Sequence, residues 1–187
     1  MNKSDRRVSF DLGPQRQQRS QVRRMIDITT SFLICIILPV LCGSAIMGSL
    51  IPYMHKSSAI KKPRWAMGGF ETGLWYALAM ACYVVMGIAS SIIYQVESSI
   101  KRRSLLGLYA AQLLLNLIWL PLVFSLNNLE IALIDSFVLV ILVMLCTQGF
   151  GNVSKLAGYL MLPYSICTHL LVAYSTHLYV LNRYSDL

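Results

Sequence analysis

Five stretches of this chain are almost free of charge, and each is long enough to cross a membrane. No Asp, Glu, Lys or Arg occurs from Ile28 to His55, from Thr72 to Val96, from Ser104 to Leu129, or from Leu156 to Asn182. From Ile131 to Ser154 the only charge is Asp135. A helix crosses the hydrocarbon, about 30 Å thick, with roughly 20 apolar residues. With no water there to satisfy peptide groups, only helices and closed barrels can span. The alternation of a membrane strand is missing, which excludes a barrel. The sequence therefore predicts an all-α integral membrane bundle of five transmembrane helices. The spans fall near 28–53, 72–96, 104–126, 131–150 and 156–181, within one domain over 26–183. The composition, 56% apolar and 13% charged, has about half the charge of a soluble domain.

The connections are short at 97–103, 126–130 and 151–155, so neighbouring helices run antiparallel. One is longer: residues 54–69 are basic and contain Pro63 and Gly68-Gly69. No internal repeat is visible, which argues against an inverted-repeat transporter. Seven of the sixteen Lys/Arg lie in residues 1–24, so residues 1–25 read as a flexible basic tail held near anionic lipid. Most other cations sit between apolar runs. That pattern fits a lipid surface and gives no reason to expect nucleic acid. Lys and Arg number eleven on the amino-terminal side and five on the other, which places the amino terminus in the cytosol.

Polar groups inside spans are costly and turn toward the bundle interior. In the third span Tyr109, Gln112, Asn116 and Trp119 recur at three- and four-residue steps, forming one polar-aromatic edge. Gly107 and Ala111 lie on a nearly opposite, smooth face where a second helix can approach closely, including that of a second subunit. The edge lines a ligand cavity or hydrogen-bonds between helices; the sequence supports both readings. Asp135 is either a site carboxylate or a charge near a helix start. In the fifth span Pro163, Tyr164, Cys167, Leu171 and Tyr174 share one sector, and Pro163 should kink the helix. His169 and His177 in that span are more simply residues hydrogen-bonded within the bundle or snorkelling at its edge than haem ligands.

Five cysteines, Cys35, Cys42, Cys82, Cys146 and Cys167, all lie in apolar runs without a CxxC. They read as buried thiols, with neither a disulfide framework nor a metal site expected. No catalytic motif occurs, so no catalytic residue is assigned and no cofactor is required. Two sterol-type patterns are present, Leu50-x2-Tyr53-x2-Lys56 and, in reverse, Arg103-x5-Tyr109-x3-Leu113.

The run GLYAAQLLLNLIWLPLVF at 107–124 resembles the third helix of the translocator protein family, also called tryptophan-rich sensory proteins or peripheral benzodiazepine receptors. The likeness continues through Ala132-Leu133-x-Asp135, Lys62-Pro63-Arg64-Trp65 with Phe70, Met86-Gly87-x-Ala89-Ser90 and Leu162-Pro163-Tyr164, over about residues 30–182. It implies a pocket for porphyrin, haem, sterol or aromatic drugs, covered by the first long connection, and a homodimer. The implied ligand-binding residues are Trp65, Asn116, Trp119, Phe124, Asp135, Val138, Cys167 and Leu171. Lys61, Lys62, Pro63 and Arg64 stand at the implied pocket mouth, where cations meet propionates, and Gly107 and Ala111 are expected at the dimer interface. The sequence departs from the family at Met67-Gly68, where the family has two prolines, at Ile131 in place of an aromatic, and at Cys167 in place of a tryptophan. The family's Leu-Asn pair is Tyr174-Ser175 here. Mammalian members place the carboxyl terminus toward the cytosol, opposite to the charge count.

The leading expectation is a binding protein for a planar apolar ligand, a tetrapyrrole or a sterol, in the mitochondrial outer membrane or the endoplasmic reticulum and Golgi. Its rivals are a porphyrin-degrading enzyme or transporter, and a scaffold recruiting partners.

Overall fold

A computed structural model of the chain describes residues 13–56, 60, 61, 63, 73–96 and 98–183. Trp65, Lys62 and Arg64 lie outside the described residues. Five helices form in chain order: α1 (Gly13–Lys56), α2 (Gly73–Tyr94), α3 (Ser99–Phe124), α4 (Leu129–Val153) and α5 (Lys155–Arg183). All five are long and apolar enough to cross a membrane. No strand occurs among the described residues. The protein is an all-α, multi-pass integral membrane protein.

α1 starts well before the expected span, running back through the basic segment to Gly13. Gln and Arg are good helix formers, and Pro14 in the first turn costs no hydrogen bond. Tight caps set the other boundaries. Asn127 takes the left-handed conformation (φ 50°). Asn128 then caps α4, its side chain accepting from Ile131 N at 3.1 Å. One residue, Ser154, joins α4 to α5: its N–H donates to Phe150 O at 2.8 Å, and its own carbonyl accepts from Gly158 N at 3.0 Å.

Packing follows the ring order α1–α2–α5–α4–α3, with α3 closing back onto α1. The most extensive contact, α4 on α5, begins at Gly151 and Gly158, whose backbones touch: a Cβ on Gly158 would lie 2.7 Å from Gly151 Cα. α2 meets α1 just as closely at Gly87, where a Cβ would stand 2.6 Å from Cys35 O. Small residues supply such approaches in lipid, where dispersion rather than water expulsion holds helices together. Leu139, Val143, Cys146 and Phe150 of α4 are fully buried, as are Met86, Ala89 and Ile93 of α2. Leu33, Ile34, Ile37, Leu38 and Leu41 of α1 face outward, as suits a lipid-facing wall.

Candidate ligand cavity

The edge read from α3 turns inward. Gln112 is fully buried, Tyr109 and Trp119 are buried, and Asn116 is half-buried; Leu114 and Ile118, between them, are exposed. Asn116 and Trp119 look into a cavity of about 90 Å³. Leu78, Ala79, Met80, Cys82 and Tyr83 of α2 form one wall, with Trp75 at its end. α5 supplies Tyr164, Cys167, Thr168 and Leu171; Met47 of α1 and Leu120 of α3 complete the lining. The cavity lies in the half of the bundle nearer the α1–α2 connection, since Trp75 stands at the start of α2 and Trp119 near the end of α3. No carboxylate, imidazole or amine lines it among the described residues.

Several polar wall groups are held by a neighbour. Tyr83 donates its hydroxyl to Asn116 Oδ1 at 2.6 Å, and the Tyr83 ring rests on Gly43 of α1, where a Cβ would come within 2.4 Å. Trp119 donates its indole N–H to Ser175 Oγ at 3.0 Å. It packs edge-on to Phe124 at 6.5 Å and tilted against Tyr174 at 6.1 Å. Trp119 is thus a clamped wall panel, only 2% exposed. Tyr76 donates to Ser44 Oγ at 3.0 Å, tying α2 to α1 beside the cavity. Deeper in, the Tyr164 hydroxyl and both ends of the Gln112 amide have no hydrogen-bond partner among the described residues.

Of the residues singled out in the sequence, the fold brings together Asn116, Trp119, Cys167 and Leu171 at the cavity. It does not bring Phe124, Asp135 or Val138 there. Phe124 lies behind Trp119. Asp135 is buried and Val138 is 43% exposed, and both belong to α4, which the ring order separates from the cavity. At the expected mouth, Pro63 is buried, and Lys61 engages through its backbone: its N–H donates to Asn182 Oδ1 at 2.9 Å, and its carbonyl accepts from Asn182 Nδ2 at 2.9 Å. This pair pins the α1–α2 connection to the end of α5. Gly107 is exposed with open space around it, and Ala111 is half-buried, so the smooth face of α3 borders the outside of the bundle.

Pro163 is exposed while Tyr164, Leu171 and Tyr174 are buried, so the sector read on α5 splits at Pro163. His169 and His177 are exposed and line no part of the cavity. The reverse sterol pattern places Tyr109 and Leu113 inside the protein, out of reach of a sterol in the bilayer. Trp75 and Tyr83 escaped the sequence reading. Tyr83 has one local sign, a phenol in mid-span that must find a partner inside the bundle.

A five-span helical membrane protein with an apolar cavity between four of its helices is the class this geometry defines. The sequence profile of the TspO/MBR family matches residues 35–180, and the chain belongs to that family. No individually curated protein matches the chain. Membership supports a membrane-bound protein of ligand-binding or transport-related type in general terms.

Proposed function

We propose that the protein is a membrane receptor that takes a planar apolar ligand, a tetrapyrrole such as haem or protoporphyrin or else a sterol, into the cavity between α1, α2, α3 and α5. One observation carries this reading: the walls are apolar apart from a few fixed polar groups, among them the Asn116 amide held by Tyr83. A mostly apolar concavity with few oriented polar groups is how small-molecule sites recognise their guests. Asn116 Oδ1 is taken, so its N–H₂ group is the donor offered to a carbonyl or carboxylate on the guest. The walls hold no carboxylate, imidazole or amine among the described residues, which favours binding over turnover.

At about 90 Å³ the cavity is far below the roughly 300 Å³ at the small end of ligand sites. Binding therefore opens the wall, and α1, mostly lipid-facing and carrying Pro39 and Pro52 within it, is the helix with least packing to lose. The smooth face at Gly107 and Ala111 is the surface offered to a second subunit. The membrane is the outer mitochondrial membrane or that of the endoplasmic reticulum and Golgi.

The test is titration of the purified protein with protoporphyrin, haem and cholesterol in detergent, reading quenching of intrinsic fluorescence for the tetrapyrroles. Leu171→Trp fills the cavity and is expected to weaken binding at least ten-fold. Val138→Trp, on the outer face of α4, should leave it unchanged. Equal affinities in the two variants would reject this cavity as the site.

A further inference from the structure

Two of the five cysteines meet. Cys82 of α2 and Cys167 of α5 are 85 positions apart in sequence, yet their sulfurs lie 3.7 Å apart, and both side chains line the cavity. All five cysteines are free, and among the described residues no other pair is in contact. We propose that Cys82 and Cys167 are a closable dithiol that a hydroperoxide converts to a disulfide, cross-linking α2 to α5 and narrowing the cavity.

The geometry sets the roles. Cys82 is buried, whereas Cys167 is half-buried at the wall, so Cys167 is the sulfur an oxidant reaches first. Either sulfur can donate its S–H to the other across 3.7 Å; with Cys82 as the donor, the contact supports negative charge on Cys167 when it attacks. The Cys167 sulfur attacks the distal oxygen of the hydroperoxide: the S–O bond forms, the O–O bond breaks, and the other oxygen takes up the thiol proton and leaves as water or an alcohol. Cys82 then attacks the sulfenic sulfur; the S–S bond forms and the hydroxyl leaves as water. Two thiols are oxidised by two electrons, and one hydroperoxide is reduced. A disulfide needs the sulfurs at about 2.05 Å with Cβ atoms about 3.8 Å apart, which helices already in contact reach by side-chain rotation with a small approach. The product is uncharged, so it adds no ion to an apolar wall; a metal dithiolate at the same sulfurs would carry one.

Closing the pair locks the α2 and α5 walls together, so that α1 alone is left to make room for a guest larger than the present cavity. This gating consequence rests on the cavity being the ligand site; the disulfide itself does not.

The experiment uses the full chain in lipid nanodiscs. It is treated with hydrogen peroxide or with cumene hydroperoxide, then alkylated, digested and analysed by mass spectrometry, with and without later reduction by dithiothreitol. The expected result is a Cys82–Cys167 linked peptide that reduction reverses. It should persist when Cys35, Cys42 and Cys146 are all replaced by Ser, and disappear in Cys82→Ser and in Cys167→Ser. Faster linkage by cumene hydroperoxide identifies a membrane-borne oxidant, and faster linkage by hydrogen peroxide an aqueous one. Sulfinic acid at Cys167 without linkage, or linkage to another cysteine, overturns the proposal. Protoporphyrin quenching should weaken at least three-fold on oxidation and recover on reduction. Linkage with unchanged quenching overturns the gating alone, and absent quenching in the reduced protein counts against the ligand reading instead.

Discussion

Replacing Gly87 by Ala adds one methyl group where α2 meets the backbone of α1. That Cβ would lie 2.6 Å from Cys35 O and 2.9 Å from Ile36 Cα. Both are backbone atoms, so no side-chain rotation relieves the overlap. Ordinary contact begins near 3.4 Å, and the helices must separate locally by roughly 0.8 Å or bend. Overpacking of this kind costs about 1–3 kcal/mol, and one or two kcal/mol already shifts the folded-to-unfolded ratio by about 5- to 30-fold. Gly107→Ala is the matched control, because nothing lies within 4 Å of its added Cβ. Elsewhere in a helix, Gly to Ala gains about 0.5–1 kcal/mol from backbone entropy, so that variant should be neutral or slightly more stable. Both can be unfolded in mixed micelles by increasing the fraction of dodecyl sulfate, with helix content followed by circular dichroism. Equal midpoints, or a Gly107→Ala protein less stable than Gly87→Ala, would refute the close α1–α2 crossing.

Other substitutions probe the remaining contacts. Tyr83→Phe removes the donor to Asn116 Oδ1 and should cost about 0.6 kcal/mol, the average for hydrogen bonds between membrane helices, in the same unfolding assay. Gln112→Met removes an amide with neither end partnered among the described residues; it should be neutral or stabilising, whereas loss of a satisfied buried amide costs about 1–3 kcal/mol. Asn128→Ala deletes the α4 cap and should lower stability by about 1 kcal/mol, with faster amide exchange confined to the first turn. Asn182→Leu breaks the paired bonds to Lys61 and should speed amide exchange at Lys61 at least ten-fold, leaving α3 unaffected.

The five helices were legible because charge-free length is a direct demand of the bilayer, and that demand is local in sequence. The inward edge of α3 was legible for the same reason: Tyr109, Gln112, Asn116 and Trp119 are costly in lipid and share one helical face. What one helix faces was not. Asp135 and Val138 stand on a helix that the ring order places away from the cavity, and ring order is decided by backbone contacts such as Gly151 with Gly158 and Gly87 with Cys35. Local periodicity carries no trace of those pairings. The meeting of Cys82 and Cys167, and the Tyr83 bond that fixes Asn116, depend on the same tertiary choice. The backward extension of α1 to Gly13 was hidden differently, because charge marks where a span ends and says little about where a helix ends.

The edge of α3 bearing Gln112 and Asn116 points into the bundle onto an apolar cavity. Nitroxide side chains placed singly at positions 107 to 119 of the cysteine-free protein, reconstituted in bilayers, test it most directly through their collision rates with molecular oxygen. Oxygen accessibility should be low at 109, 112, 116 and 119 and high at 107, 114 and 118. High accessibility at 112 and 116 with low values at 114 and 118 would contradict it.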